Sequence, residues 1–494
     1  MTDAYRLEAS GRTRALNGVR ERHDGDYVLY WMTATRRLVW NHALDRAIEH
    51  AERLGKPLLV FEPLNVTYRW ASERLHRAIL DGMVEHESGL ARVGVGYFPY
   101  VEPERGAGRG LLRALAARAC VVVTDDSPVF FTPELLAAAA RLEVCRVEAV
   151  DSCGLLPLSR ADRTFVTAFQ FRRFLQRTLP DVLGDAPAAA PLTTAHLKPF
   201  TGLPPSTTER WPAALPDRLV AERGLAHLPI DHSVAATNWR GGYSAARAAL
   251  RRFIECGLDR YSSERNDPDA NVTSGLSAWL HFGHLSAHEV FDEVTRAEGW
   301  TPLRLSSRTD GSRRGWWGMS EGAEGFLDQL VTWRELGFAN AVREPALERY
   351  ETLPAWARST LEVHASDRRE YVYTLEQFTA AETHDELWNA AQRQLAREGT
   401  IHNYLRMLWG KKVLEWTDHP RVALDIMIEL NNRYALDGRD PNSYSGIGWI
   451  LGRFDRGWPE RSVYGKVRSM SSAATRRKVR VEEYLRRYGG GAGD

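Results

Sequence analysis

The sequence predicts an α/β N-terminal domain with a doubly wound parallel sheet, followed by an all-α C-terminal domain. Short apolar runs alternate with amphipathic segments from residue 27 to residue 151, as is typical of parallel strands joined by helical crossovers. An Ala-, Pro- and Thr-rich stretch then occupies 185–216. After Gly241 helical periodicity dominates, so the second half is predicted to be helical.

The elements follow from these patterns in chain order. Apolar runs predict strands at 27–32, 57–64, 95–101, 120–126 and 144–150. Amphipathic segments between them predict helices at 41–54, near 70–85, near 110–118 and near 133–141. The second half has helical periodicity at 243–256, 276–297, 323–342, 384–396, 401–416 and 420–433.

The domain boundaries follow from the composition shifts. We expect an N-terminal tail at 1–20, the α/β domain at 21–184, an extended inter-domain linker at 185–236, the helical domain at 237–488 and a flexible tail at 489–494. Metal-ligand pairs such as H-E-x-x-H do not occur, so no metal site is predicted.

Charge and cysteine content restrict the class of protein. The net charge of the 494 residues is +1, so contacts with nucleic acid require a local cluster of Arg and Lys. The four cysteines form no C-x-x-C pair, which fits a reducing cytoplasm. No stretch of 18 apolar residues occurs, so we expect no membrane association. No motif implies a protein partner, and a monomer is the default expectation.

Tryptophan placement offers two interpretations. Trp409 and Trp416 are seven residues apart and share one face of a predicted helix, while Trp388 lies on the helix before it. Such a stripe is most often hydrophobic core. The alternative is a path for stepwise electron hopping between indoles.

Three motifs in the second half, in consistent order, resemble the class II cyclobutane pyrimidine dimer photolyases of the photolyase/cryptochrome family. They are IHNYLRMLWGKKVLEW (401–416), LNNRYALDGRDPNSYSGIGW (430–449) and WPERSVYGKVRSM (458–470). The resemblance extends upstream through 261–290, 326–336 and 27–61. It implies the photolyase/cryptochrome fold, in which the helical domain holds a folded FAD.

The resemblance also implies which residues hold that cofactor. Tyr261 and the turn formed by Thr273, Ser274, Gly275, Leu276 and Ser277 match the family's FAD-phosphate site. An ordinary helix cap is the alternative for the Thr-Ser turn. Asn403 and Arg406 match positions beside the flavin, with Arg406 paired to Asp437 there or in a purely structural salt bridge. Asn431 matches the residue facing flavin N5, or else caps a helix C-terminus.

The implied activity is light-driven DNA repair, in which photoexcited FADH⁻ donates an electron to a cyclobutane pyrimidine dimer. By the same resemblance, Trp409 is nearest the flavin, Trp388 is the middle relay, and Trp416 is the outer, solvent-facing donor that photoreduces the flavin. The family also implies an antenna chromophore, a deazaflavin or a folate, for which no residues are assigned.

Substrate contacts are implied for residues in both the lesion pocket and the DNA surface. Glu335, Met407 and Trp449 match the walls of the lesion pocket, although a Glu after an Arg on a helix is more often a surface ion-pair partner. Arg265 and Asn266 are candidates for contacts with the lesion or flanking phosphates. Arg456 and Arg468 match arginines at the opened duplex, within a basic stripe at 451–488 whose alternative is a solvated charged face.

Two other functions remain open at this point. A cryptochrome-like flavin photoreceptor without repair activity needs the FAD and the tryptophans but neither the lesion pocket nor the basic stripe. A photolyase for another UV lesion, such as the (6-4) product, needs all of them.

Overall fold

The structure is a computed structural model that describes residues 11–221 and 223–490. The chain forms two compact units. Of the described residues, the first comprises 11–162, 179–221, 223–250 and 276–293, and the second comprises 163–178, 251–275 and 294–490.

A six-stranded sheet forms the centre of the first unit. Its strands are β1 (Thr13–Ala15), β2 (Tyr27–Trp31), β3 (Leu58–Leu64), β4 (Gly96–Val101), β5 (Ala119–Asp125) and β6 (Arg146–Val150). They lie in the order β1-β6-β5-β2-β3-β4, and every pair is parallel except β1 with β6. The predicted doubly wound α/β class is confirmed, with one antiparallel edge strand added.

That edge strand corrects the prediction of a tail at 1–20. Thr13 pairs with Val150 and Ala15 with Glu148, so this part of the tail belongs to the sheet. A three-residue strand has too little alternation to be recognised from sequence. Its pairing is set by a distant partner, and Arg14 adds an ion pair with Asp126.

The helices up to the end of the predicted linker are α1 (His42–Leu54), α2 (Glu73–Ala91), α3 (Leu111–Ala116), α4 (Thr132–Ala140), α5 (Ala168–Thr178), α6 (Pro205–Arg210) and α7 (Pro216–Leu219). The linker predicted at 185–236 therefore contains two short helices. It is also part of the first unit. Trp211 is buried in the sheet's hydrophobic core and donates from Nε1 to the Ala107 carbonyl at 3.0 Å.

Two groups of backbone amides in the first unit are satisfied by the chain's own carboxylates. Asp125, at the carboxyl end of β5, accepts from the amides of Thr33, Ala34 and Thr35 at 2.7–2.9 Å. Glu102 accepts from the amides of Gly106 and Gly108 in the glycine-rich loop. In many α/β folds, amides in such positions bind phosphate.

The remaining helices are α8 (Tyr243–Cys256), α9 (Tyr261–Glu264), α10 (Ser277–His281), α11 (Ala287–Ala297), α12 (Glu321–Leu327), α13 (Arg334–Arg343), α14 (Ala355–Val363), α15 (Leu375–Ala380), α16 (Glu386–Glu398), α17 (Asn403–Glu415), α18 (Pro420–Tyr434), α19 (Pro441–Ile450), α20 (Ser472–Lys478) and α21 (Glu482–Tyr488). The second unit is helical, as predicted. Its largest core cluster surrounds Trp388, Trp409 and Trp416.

The predicted helix at 276–297 is in fact two helices, α10 and α11. The chain turns at Gly283, where φ is +76° and an added Cβ would lie 2.0 Å from the Ala34 carbonyl oxygen. Within the described residues no helix is both long and apolar enough to cross a membrane. The predicted flexible tail lies mostly outside the described residues, and its first residue, Gly489, bonds through its amide to the Leu485 carbonyl.

Candidate functional site

Three tryptophans of the second unit form a continuous path. The rings of Trp388 and Trp409 are nearly parallel, 6° apart in orientation, with centroids separated by 6.4 Å. The centroids of Trp388 and Trp416 are 6.0 Å apart. The three indoles therefore belong to the core, and their centroid separations are also short enough for electron hopping between neighbouring rings.

Hydrogen bonds fix the orientation of the two inner indoles. Trp388 is on α16 and donates from Nε1 to the Trp409 carbonyl at 2.9 Å. Trp409 is on α17 and donates from Nε1 to Oε1 of Gln392 at 3.0 Å. Gln392 is fully buried one helical turn after Trp388, so it faces the same side of α16. The sequence reading missed Gln392, although its i, i+4 spacing from Trp388 was a usable signal.

Trp416 is not solvent-facing, which corrects the prediction. Its residue exposure is 3%. Tyr373 and His384 cover it, with ring centroids 5.7 and 4.9 Å from the Trp416 indole. Tyr371 stacks on His384 and is 39% exposed, so aromatic side chains continue from Trp416 to the surface. A helical pattern cannot foresee this cover, because it comes from the separate 371–384 segment.

A polar network joins α17, α18 and the turn after α18. Arg406 donates to both carboxylate oxygens of Asp437 at 3.0 and 3.1 Å, so the predicted pairing is present. Its other guanidinium nitrogen reaches Oδ1 of Asn431 at 3.5 Å. Asn431 donates from Nδ2 to Oγ of Ser443 at 2.8 Å. The Asn431 side chain thus bonds across elements and does not cap α18, which excludes the capping alternative.

The turn that carries Asp437 is held by a buried arginine. Arg439 has a φ of +64°, and its guanidinium donates to the carbonyls of Asn432, Ala435 and Leu436. These carbonyls belong to the end of α18 and the residues just after it, where the helix leaves acceptors without internal partners. Arg439 therefore fixes Asp437 and the end of α18 relative to each other.

Tyr261 begins α9 and is buried against Phe253 and Phe326. Burial raises the pKa of its phenol. The Arg265 guanidinium lies 5.7 Å from the Tyr261 ring centroid, and the neighbouring Asn266 is exposed.

The turn predicted to bind the FAD phosphates is formed by residues 273–277. Its first three residues end the segment 251–275 of the second unit. Thr273, Ser274 and Gly275 belong to that unit, whereas Leu276 and Ser277 belong to the first. Leu276 is the N-cap of α10, and its own apolar side chain makes no capping hydrogen bond. Gly275 has a φ of +65°, and nothing lies within 4 Å of where its Cβ would be.

The residues of the second unit fit a flavin dinucleotide in their chemistry. Thr273 and Ser274 offer hydroxyls and amides of the kind that bind phosphate, beside a glycine with open space around it. Arg406 and Asn431 offer polar groups of the kind that hydrogen-bond an isoalloxazine ring. Asn403 is exposed at the first residue of α17, one turn before Arg406.

Glu335 occupies an interior position. It is 3% exposed and is the second residue of α13, immediately after a π-helical segment at Asp328–Trp333. The alternative of a surface ion pair is therefore wrong. π-Helical turns recur at functional sites because the extra residue redirects the side chains that follow. Met407 and Trp449 are partly buried, Met407 against the main helical core.

Cationic and indole groups alternate along one edge of the second unit. Arg468 lies 5.9 Å from the Trp449 ring centroid and 5.1 Å from that of Trp458. Arg456 lies 5.6 Å from the Trp458 ring centroid. We call this set, Trp449, Arg456, Trp458 and Arg468, the cation–indole row. Arginine interleaved with aromatic rings is typical of surfaces that bind single-stranded nucleic acid.

Other members of the predicted basic stripe have different roles. Arg453 is buried and donates to Glu344, Thr352 and the Leu347 carbonyl. Four more form ion pairs on the surface, namely Arg476 with Glu386, Arg480 with Asp267, Arg486 with Glu483 and Arg487 with Glu398. Fewer residues of the basic stripe are therefore candidates for DNA contacts than the count of basic residues at 451–488 indicates.

Lys411 is a buried cation that the sequence reading did not single out. Its Nζ donates to the carbonyl of Ile450, the last residue of α19, and lies 5.7 Å from the Trp449 ring centroid. Burial lowers the pKa of Lys411 to about 7, against the opposing effect of Asp455. Ser443, the acceptor for Asn431, was also missed, since a lone Ser in P-N-S carries no distinctive pattern. Among residues 11–221 and 223–490, His, Cys, Asp and Glu side chains form no group of three that suits a metal ion.

Comparison with known proteins gives close relatives along the whole chain. The deoxyribodipyrimidine photo-lyase of Methanothermobacter thermautotrophicus is 35% identical over 482 residues, covering 97% of this chain and 98% of that protein. That of Arabidopsis thaliana is 31% identical over 463 residues, covering 93% of this chain and 88% of the relative. No family model matches. A bacterial class III photolyase from Agrobacterium tumefaciens has the same fold, with a TM-score of 0.66, 19% identity and coverage of 94% of this chain and 86% of that one.

Proposed function

Since the chain belongs to the deoxyribodipyrimidine photo-lyase family, we propose that it is a class II enzyme that uses light to split cyclobutane pyrimidine dimers in UV-damaged DNA. The observation that carries this proposal is the composition of one helix, α17. Arg406, Met407 and Trp409 are nearly consecutive on it, so one rigid element joins a polar flavin ligand, a wall residue of the lesion pocket and an indole of the electron path.

FAD is the proposed cofactor. Its ligands in the second unit are Tyr261, Thr273, Ser274, Gly275, Asn403, Arg406, Asn431 and Asp437, and the sequence adds Leu276 and Ser277. When bound and fully reduced, FADH⁻ supplies the light-excited electron that splits the dimer. A deazaflavin or folate antenna remains part of the proposal, and absorbance of the purified protein beyond that of flavin would identify it.

The protein's own contribution is orientation and exclusion of water. Arg406, held by Asp437, keeps a positive charge where the flavin ring is proposed to lie, and Asn431 is fixed by Ser443 so that its amide presents one orientation. Trp409, Trp388 and Trp416 pass electrons inward during photoreduction, through rings whose separations are at most 6.4 Å.

A dimer must leave the base stack before a buried cofactor can act on it. We assign Glu335 to the carbonyl edge of the flipped pyrimidines, and Met407 and Trp449 to their apolar faces. Arg456 and Arg468 of the cation–indole row would contact the opened duplex, with Arg265 and Asn266 at flanking phosphates. We expect the protein to act as a cytoplasmic monomer.

The test is a repair assay with photoreduced protein and an oligonucleotide that contains a single cyclobutane thymine dimer. Restored thymines under blue light, and none in the dark, are the expected result. A protein that binds and photoreduces FAD but restores no thymines would overturn the assignment. Repair of a (6-4) product in the same assay would then establish another lesion, and no repair of either would favour a cryptochrome-like photoreceptor.

A further inference from the structure

Gly446 lies in α19 between two side chains of the candidate site. Ser443, three residues earlier, accepts the hydrogen bond from Asn431 at 2.8 Å. Trp449, three residues later, belongs to the cation–indole row. Residues spaced by three lie on neighbouring positions of one helix face, so Gly446 separates the Asn431 amide network from the Trp449 indole.

Packing within the protein does not account for this glycine. A Cβ at Gly446 would have no atom within 4 Å outside the local helix backbone. At each of the other helical glycines in residues 11–221 and 223–490 a Cβ would meet a neighbour: Gly82, Gly89, Gly322, Gly325, Gly337, Gly410 and Gly448. Gly448, on the same helix, would place it 2.6 Å from Nε of Arg453, and Gly410 would place it 2.1 Å from Cδ1 of Ile450.

An unexplained glycine inside a helix has a cost, because alanine is the better helix former. Glycine is also the residue that lets a ligand approach the backbone closely. Gly446 is half-buried, and the space beside it lies between a polar group proposed for the flavin and an indole proposed for the lesion.

We propose that Gly446 determines specificity for the lesion, because the flipped dimer lies against the bare backbone of α19 at this point, between Ser443 and Trp449. The inference rests on the proposed function and adds a residue to its lesion pocket. A methyl group at position 446 would occupy the space that one pyrimidine ring needs, while leaving the protein's own packing unchanged.

The experiment compares Gly446→Ala with Asn442→Ala, a substitution at an exposed position in the first turn of the same helix that also introduces a better helix former. Three quantities are measured in the dark: the thermal unfolding midpoint, the FAD bound per chain from its absorbance, and dissociation constants for oligonucleotides with and without a thymine dimer. We expect Gly446→Ala to unfold at no lower temperature and to hold FAD like the parent. Its affinity for the dimer should fall at least ~10-fold, with unchanged affinity for undamaged DNA.

Each other outcome argues against the assignment. If Gly446→Ala binds the dimer like Asn442→Ala, no part of the lesion lies against position 446. If it loses FAD instead, the flavin and not the dimer occupies the space. If the parent itself does not prefer dimer-containing DNA, the proposed function fails, a result that is read on the parent alone and is therefore distinct.

Discussion

Glu335 shows how far a single residue can depart from its sequence context. It follows an arginine at the start of a helix, a setting typical of exposed ion pairs, yet it is 3% exposed. The preceding π-helical segment adds a residue to the turn, and that shift is not visible in an apolar periodicity. The family resemblance implied a pocket position for Glu335, whereas its local sequence favoured an exposed one, and the side chain is buried.

Replacing Glu335 by Gln tests its proposed role. The amide keeps the size and can still hydrogen-bond, but it cannot exchange a proton with a developing pyrimidine anion. We expect the repair rate to fall by at least ~10-fold while dimer binding in the dark is unchanged. Rates are measured by restored thymines under saturating light. Glu344→Gln, which removes a carboxylate paired with Arg453, is the control, and equal rates in the two variants would remove Glu335 from the chemistry.

Lys411 allows a test of charge burial. Its folded-state pKa of about 7 lies below the value of 10.5 for an ordinary lysine, so the unfolded chain holds more protons between these values. The Lys411 contribution to stability therefore rises with pH from about 7 to about 10.5. Below that window the folded state carries the full cost of a buried cation, which the Ile450 carbonyl at the end of α19 offsets in part.

Lys411→Met removes that cost. We expect the variant to be more stable than the parent at pH 6 by about 1–4 kcal/mol, as for other buried charges replaced by apolar groups. The difference should shrink as the pH approaches 10. Urea unfolding at pH 6, 8 and 10 measures it, with Lys412→Met as the neighbouring control. A difference that is constant across pH would mean that Lys411 does not titrate in this range.

At the scale of elements, periodicity located the central helices of the second unit to within a few residues, and it predicted none of α14, α15, α19, α20 and α21. α16, α17 and α18 agree with the predicted segments because each has a continuous apolar face toward one core. The break between α10 and α11 was missed, since Gly283 turns there to fit beneath the Ala34 carbonyl, a contact between distant parts of the sequence. The same limit applies to the strand β1 and to the cover over Trp416.

The packing of α16 against α17 places Trp388 between Trp409 and Trp416. A substitution at Trp388 should therefore slow flavin photoreduction without slowing dimer repair. The ring of Trp388 contacts those of both Trp409 and Trp416, so Trp388→Phe should interrupt the path. We expect flavin photoreduction to slow by at least ~10-fold, as read from the loss of oxidised-flavin absorbance under blue light. When its flavin is reduced chemically, the Trp388→Phe variant should still repair dimers at the parent rate. Trp300→Phe, at an indole whose ring packs against Trp317, is the control. Normal photoreduction in Trp388→Phe would require another donor route.

At the scale of the whole molecule, charge is distributed unevenly although the net charge is +1. Ion pairs neutralise Arg476, Arg480 and Arg487, and the cation–indole row remains as the DNA-facing candidate. Sequence counting could find the basic stripe but not this partition, because the acidic partners come from α16 and from residues near 267.

The salt dependence of DNA binding tests whether the cation–indole row, and not the ion-paired arginines, contacts DNA phosphates. Arg468→Ala should weaken binding to damaged and undamaged DNA and reduce the slope of log K against log salt by about 1, the value for one phosphate contact. Arg487→Ala, which removes a guanidinium bonded to Glu398 at 2.7 Å, should change neither. Fluorescence anisotropy over a salt series gives both slopes. Equal slopes would place the phosphate contacts elsewhere on the protein.

The carboxylates of Asp125 and Glu102 affect whether the first unit can bind nucleotides. Both carboxylates are tethered beside the amides they satisfy, so they compete at a high effective concentration with any phosphate that arrives from solution. ATP and other abundant nucleotides would have to expel a built-in anion to bind there. We therefore expect the first unit to bind ATP and other nucleotides weakly, although it has the outline of a nucleotide-binding fold.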